Sequence, residues 1–279
     1  MIIDGIMTRQ PLTIDILSGV KKAEQIMRDN KIGGLPVVEN GRLVGIITSR
    51  DIRQANPNRI IADVMSRNVI VLEPHNTLWE AKELMEKYDI ERLVIVDKER
   101  IVGILTKMVL YTEIGKYTDN LTGMYKKEYL LSKASMLLKN NKPFSFIFID
   151  IDKFGQMNKD FGHETCDKII IQISNLLQMY ENLNTWVCRF GGDEFVLLLD
   201  GNKVNAIHLA KEIINEFKFK KWINNLEVLP SIGIAFMDAQ SKRDCSSEHN
   251  FIITQLLNNA SLASTTAKKL PEKYTIVEC

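Results

Sequence analysis

Net charge is nearly absent from this chain: its 36 Lys and Arg residues against 35 Asp and Glu leave +1 over 279 residues. No basic field of the kind that draws proteins to nucleic acid or anionic lipid is present, so neither partner is expected. The four cysteines, Cys166, Cys188, Cys245 and Cys279, form no C-x-x-C pair and have no histidine at ligand spacing. That speaks against zinc and leaves free thiols in a reducing cytoplasm as the plain reading. The first segment, "MIIDGIMTRQPLTIDIL", meets Asp4 and Arg9 early and has no long apolar run. Neither a leader nor a membrane span is expected there, and the expected location is cytoplasmic. What is present is the profile of a folded chain, 45% hydrophobic and 25% charged, long enough for one large or two ordinary domains.

An internal repeat fills the first part. "IMTRQPLTID" at 6–15 aligns without gaps on "VMSRNVIVLE" at 64–73, an offset of about 58 residues that carries Ala23 onto Ala81, Met27 onto Met85 and "VGIITSRD" onto "VGILTKMV". In each copy apolar residues recur at helical spacing (Val20, Ala23, Ile26, Met27; Leu78, Ala81, Leu84, Met85), then two apolar runs flank a polar turn. The unit expected is a helix followed by an antiparallel hairpin.

The segment resembles a tandem CBS domain pair, "GIITSRD" at 45–51 fitting the family's G-h-h-T-x-x-D pattern. The resemblance covers 1–112, as copies of about 1–57 and 58–112. It implies an adenine-nucleotide ligand (AMP, ADP or ATP), with Thr48, Ser49, Arg50 and Asp51 at its phosphate and ribose and Pro36 bordering the base. A carboxylate accepts from both ribose hydroxyls, and a helix starting near Thr48 presents N–H groups to phosphate. Thr-x-x-Asp is equally an ordinary helix cap, and Pro36 equally the start or bend of an edge strand. In the second copy Val109 replaces the aspartate, so one ribose site is expected, at Asp51.

A connector over 113–118 leads to a second domain at 119–279; Val109, Leu110 and Ile114 are expected on one side of a short helix that weakens at Gly115. Beyond it helices and strands alternate. Helices are expected over 126–141, 163–180, 204–217 and 251–270, a doubly buried strand over 144–150, a hairpin through "CRFGGDEFVLLL" at 188–199, and strands over 228–237 and 274–278. The order gives an α/β (α+β) fold on a βαββαβ core. Met124, Met136 and Met179 read as core filler, Asp152 as a partner of nearby backbone, and His163 as packing at a helix start.

Asp150 ends the buried strand and Asp193 follows a Gly-Gly turn. If the two strands are neighbours, their carboxylates meet at one sheet edge, a hard-oxygen set suited to Mg²⁺ or Mn²⁺ and to phosphate chemistry. "GGDEF" at 191–195, with "DNLTGMY" at 119–125, "FIDIDKFGQMNKDFGHETCD" at 148–167 and "SIGIA" at 231–235, resembles the GGDEF diguanylate cyclases, whose core is of the palm or nucleotidyl-cyclase kind. That resemblance implies condensation of two GTP to cyclic di-GMP across a homodimer. It implies metal on Asp150, the Ile151 carbonyl, Asp193 and Glu194; catalysis by Asp193 and Glu194; and GTP contacts from Asn158, Asp167, Gly191, Gly192 and Lys268.

The sequence departs from that family at Lys126, Gly155, Cys166, Ser261, Pro271 and Glu272, where asparagine, lysine, glycine, aspartate and Gly-Arg are usual. Loss of two charge-assisted bonds to phosphate, at about 1.5–3 kcal/mol each, costs roughly 10²–10⁴ in affinity or rate; Lys153, Lys159 and Lys269 are the available replacements. "NLNT" at 182–185 lacks both charges of the product-inhibition motif, so feedback there is expected to be absent. Two readings follow: a cyclase regulated through the CBS pair, and a catalytically degenerate GGDEF protein that binds nucleotide and signals.

Overall fold

The computed structural model describes residues 1–238 and 246–278; Cys245 and Cys279 lie outside them. Two compact units appear, Met1–Lys116 and Tyr117–Cys279.

The first unit runs β1 (Thr8–Arg9), β2 (Ile14–Asp15), α1 (Val20–Asp29), β3 (Gly34–Glu39), β4 (Arg42–Thr48) and α2 (Ser49–Gln54). The second repeat supplies β5 (Val71–Leu72), α3 (Leu78–Lys87), β6 (Arg92–Asp97), β7 (Arg100–Thr106) and α4 (Lys107–Gly115). The apolar stripes of α1 and α3 bury Val20, Ala23 and Met27, and Leu78, Ala81 and Met85. The sheets are β2-β3-β4 and β1-β7-β6-β5, so the strand at the start of the first repeat joins the second repeat's sheet. The exchange is reciprocal. Met7 packs on Gly103 while Met65 packs on Gly45, and Ser66 and Ile46 exchange both backbone hydrogen bonds at 2.9 Å. Ile61 and Met65 complete the core of Ile14, Met27, Leu35, Val37 and Ile47.

Two local expectations change here. Pro36 lies in β3, the middle strand of its sheet rather than an edge; it pairs with Ile46 on one side, and β2 begins its pairing one residue later, at Val37. The missing N–H of Pro36 therefore falls where the ladder has not begun on that side. On α4, Leu110 and Ile114 are buried but Val109 is 36% exposed, because neighbouring helical positions diverge by about 100°.

The second unit runs α5 (Lys127–Lys139), β8 (Phe144–Ile151), α6 (Phe154–Phe161), α7 (His163–Gln178), β9 (Thr185–Arg189), β10 (Glu194–Asp200), α8 (Lys203–Phe219), β11 (Pro230–Met237), α9 (Ser246–Ala267) and β12 (Tyr274–Glu278). The five-stranded order is β12-β11-β8-β10-β9, with β12 parallel to β11 and the other pairs antiparallel. This is the βαββαβ core followed by a helix and a fifth strand. β8 is central, which is why its sequence is apolar on both faces. Ile147, Ile149 and Ile151 join the core beside α7 and α8 residues such as Ile169, Ile173, Ala206 and Ile213; alternation turns Phe146, Phe148 and Asp150 to the opposite face. On β11, Gly233 meets α9 so closely that a Cβ there would overlap the backbone of Ala260 and Ser264. Met124 is buried, but Met179 is 82% exposed at the end of α7 and fills no core. Its seat just past the last helical residue, Gln178, carries it beyond the buried stripe.

Candidate functional site

In the second unit the β8/β10 register places Glu194 opposite Asp150, and the Ile151 N–H donates to the Asp193 carbonyl at 3.4 Å. Asp150, Ile151, Asp193 and Glu194 therefore gather at one end of two central strands. Burial and then the negative charge of Asp150 raise the Asp193 carboxyl above its ordinary range; burial, Asp150 and Asp193 do the same to Glu194. Lys268 answers part of this charge, its Nζ 2.8 Å from Asp150 Oδ1. Burial lowers the Lys268 ammonium, but that bond and the charges of Asp150, Asp152 and Asp193 outweigh it and raise it.

The loop between β9 and β10 does not use the backbone freedom of its glycines: neither Gly191 nor Gly192 has φ in the left-handed region. Gly191 provides space instead. A Cβ on it would sit 2.6 Å from Glu194 Oε2, whereas one on Gly192 would meet nothing within 4 Å. What holds the loop is Arg189, which pattern reading passed over. Its Nε donates to the carbonyls of Gly191 and Gly192 at 3.1 Å, Nη2 to Gly192 at 2.6 Å, and Nη1 to Asp119 Oδ1 at 2.8 Å. Asp119 also accepts from the Thr122 hydroxyl at 2.7 Å and the Thr122 N–H at 2.9 Å. Burial works against the Asp119 charge, yet these bonds hold its carboxyl below the usual range. "DNLTGM" is thus a clamp for the Gly-Gly loop, a link across 70 residues that only a fold reveals.

Asn158 stands on α6 and Asp167, exposed, on the adjoining α7; neither side chain has a hydrogen-bond partner among the described residues. The hinge between those helices is Gly162, whose N–H returns to the Asn158 carbonyl at 3.0 Å. Asp152 departs from expectation: besides a backbone bond to Leu229 it takes Ser231 Oγ and Lys273 Nζ, each at 2.7 Å, so it ties side chains together. Lys273 escaped sequence reasoning because it is one residue past the altered Pro271–Glu272 pair. Lys153, Lys159 and Lys269 are exposed, and their side chains make no hydrogen bond or ion pair among the described residues.

The donors suit a hard divalent cation. Among the described residues no three His, Cys, Asp or Glu side chains enclose an ion, while two carboxylates and a carbonyl at a sheet end match a cation that keeps water and substrate phosphates in its shell.

In the first unit Thr48 caps α2. Its Oγ1 accepts from the Asp51 N–H at 3.4 Å, while Asp51 Oδ2 accepts from the Thr48 N–H at 2.8 Å and from its hydroxyl at 2.7 Å. The capping arrangement weighed from sequence is therefore formed, leaving Oδ1 of Asp51 without a bond among the described residues. Thr106 caps α4 without a carboxylate partner.

No helix among the described residues is long and apolar enough to cross a membrane. Residues 116–271 match the family described as diguanylate cyclase, GGDEF domain, and residues 3–58 and 61–113 match the CBS domain. Curated relatives include an inosine-5′-monophosphate dehydrogenase of Nitrosopumilus maritimus, 37% identical over 41% of this chain and 24% of its own length. The CBS domain-containing protein YhcV of Bacillus subtilis is 33% identical over 36% of this chain and 75% of its own length. Another B. subtilis protein, the uncharacterized YtrP, is 28% identical over 54% of this chain. The chain spans about a quarter of the length of the dehydrogenase and YtrP. A solved CBS domain pair of protein MJ0100, in complex with 5′-methylthioadenosine and S-adenosyl-L-methionine, is 32% identical with a TM-score of 0.40 over 42% of this chain and 97% of that one. The chain belongs to the GGDEF diguanylate cyclase family, with a tandem CBS domain pair ahead of its GGDEF domain.

Proposed function

We propose that this protein is a diguanylate cyclase that joins two GTP into cyclic di-GMP, acting as a homodimer under control of an adenine nucleotide bound to its CBS pair. The observation that carries the reading is the convergence of Asp150, Asp193 and Glu194 at one sheet end beside Lys268. In each of two equivalent steps a ribose 3′-hydroxyl oxygen bonds to the α-phosphorus of the other GTP, pyrophosphate leaves, and the hydroxyl proton is taken up at the site.

Asp150, Asp193 and the Ile151 carbonyl would hold Mg²⁺ or Mn²⁺, with Glu194 assisting. The bound cation would neutralise triphosphate charge and lower the pKa of the hydroxyl. Glu194, whose carboxyl burial and the charges of Asp150 and Asp193 raise above its ordinary range, is suited to receive the proton. Asn158 and Asp167 have the free acceptors and donors that a guanine edge needs, and Asp167 would accept from N1–H and the amino group, a pattern adenine lacks. Lys268 would move from Asp150 to the triphosphate as cation and nucleotide arrive. Gly192, with open space beside it, would leave room for the nucleotide, Gly191 makes room for Glu194 at the same site, and Arg189 keeps both in place. Each protomer holds one GTP, so a lone site makes no product.

A second reading, a degenerate nucleotide-binding signalling module, is favoured by the phosphate side: Glu272 stands where a cation is usual, and Lys268 and Lys273 are already paired with Asp150 and Asp152. The two readings separate when purified protein is incubated with GTP and Mg²⁺ or Mn²⁺ and the products are chromatographed. Cyclic di-GMP that disappears in Asp193→Asn supports the cyclase; GTP binding without product overturns it.

A further inference from the structure

Strand register sets Ser231, Asp150 and Glu194 side by side across β11, β8 and β10, and the end of α9 brings a cation onto the middle one. Lys268 follows the last helical residue, Ala267. Its Nζ lies 2.8 Å from Asp150 Oδ1, on a carboxylate that is only 16% exposed. Asp150 is also the residue that a divalent cation would need at this sheet end, and an ammonium in contact with it competes directly for the same negative charge.

Lys268 is held from behind by a second lysine. Lys273 stands at the entry to β12, with a left-handed φ of 60° and a carbonyl that accepts from the Ile232 N–H at 2.8 Å. Its Nζ donates to Asp152 Oδ2 at 2.7 Å and to the Lys268 carbonyl at 3.3 Å. Ser231 Oγ takes the other oxygen of Asp152 at 2.7 Å. Both oxygens of Asp152 are therefore engaged, and through Lys273 they fix the backbone from which Lys268 reaches Asp150.

We propose that Lys268 is a latch on the metal site: in the nucleotide-free protein it holds Asp150 in place of a divalent cation, with Lys273 as its positioning residue, and Asp150 takes metal tightly only together with a triphosphate that draws Lys268 away. The inference rests on the metal and GTP reading above and adds the order in which the two can enter. A triphosphate offers the ammonium several anionic oxygens in exchange for one carboxylate oxygen. By linkage, whatever nucleotide adds to metal affinity, metal adds to nucleotide affinity. The latch therefore makes the two ligands bind as a pair.

Mn²⁺ binding to the full chain, followed by loss of the free-ion electron paramagnetic resonance signal, tests this without turnover. K268Q should bind Mn²⁺ alone about 10- to 100-fold more tightly than wild type, the range for one charge-assisted bond. K268M should do the same, which covers a poorly folded K268Q, and K268R should match wild type. K269Q removes an exposed neighbouring charge and should change the affinity by less than about twofold at physiological salt. K273Q should give part of the gain, and K268Q/K273Q no more than K268Q alone, because Lys273 acts through Lys268. A saturating GTP analogue that cannot be cleaved at the α-phosphorus should tighten Mn²⁺ on wild type by a factor that shrinks in K268Q. Equal Mn²⁺ affinity in wild type, K268Q and K268M, or an equal gain in K269Q, overturns the latch, while Mn²⁺ binding that D150N weakens keeps the metal site. No saturable Mn²⁺ binding to any of these proteins, with or without the analogue, overturns both.

Discussion

Gly191→Ala is the sharpest perturbation of the candidate catalytic site. The added methyl would lie 2.6 Å from Glu194 Oε2, against 3.4–4 Å for ordinary contact. The obstacle is the tip of a flexible side chain and φ at Gly191 is not left-handed, so the fold should yield cheaply. An off-rotamer Glu194 costs about 0.5–1.5 kcal/mol, which at several degrees per kcal/mol lowers the unfolding midpoint by at most roughly 6 °C. The carboxylate, however, must move by about an ångström, and misplacement on that scale costs on the order of 10²-fold in rate. Cyclic di-GMP formation should therefore fall by about two orders of magnitude while thermal unfolding changes little. Gly192→Ala, with open space around it, should leave the unfolding midpoint alone, and any loss should appear in KM for GTP. Wild-type turnover by Gly191→Ala would refute the claim that Gly191 is there to make room for Glu194.

Other outcomes follow from the packing and the charges. Gly233→Ala drives a Cβ into the backbone of α9 and should cost about 1–3 kcal/mol or more; a urea midpoint equal to wild type would contradict that contact. Asp193 and Glu194 have raised carboxyls, so their charged forms are disfavoured in the folded protein, which binds protons there more tightly than the unfolded chain. In EDTA at neutral pH, Asp193→Asn should raise the unfolding temperature, and the gain should shrink as pH falls through the raised carboxyl range; no gain at neutral pH would contradict this. Asp51→Ala removes half a capping box as well as the candidate ribose ligand, so it should destabilise by about 0.5–2 kcal/mol with no nucleotide present, visible in the unfolding midpoint of the ligand-free protein. An unchanged midpoint there would mean the cap is idle.

Much of this was legible in sequence where the pattern is local. The 58-residue repeat, the doubly apolar strand ending in Asp150 and the Gly-Gly hairpin each announce themselves within a few residues of their own position. What stayed hidden depends on which distant segments meet. Met7 and Met65 occupy equivalent places in the two repeats, as do Gly45 and Gly103, but only the fold reveals that each methionine packs on the other repeat's glycine. Arg189 looks like one more charged residue before a signature until it is found holding Asp119 and two loop carbonyls. The helix α6 is short and leaves a left-handed Lys153 at its start, a beginning without the usual capping residue. Met179 misled because it continues a helical apolar stripe one residue beyond the helix.

The central claim joins a nucleotide sensor to a cyclase, and the rate of cyclic di-GMP formation from GTP and Mn²⁺ by the full chain, with and without AMP, tests it directly. A ligand alters that rate only through unequal affinity for the active and inactive arrangements. The account predicts product in wild type, none in Asp193→Asn, and a several-fold change on adding AMP that Asp51→Asn abolishes. Absence of product under all conditions, or a rate indifferent to AMP at saturating concentration, would contradict it.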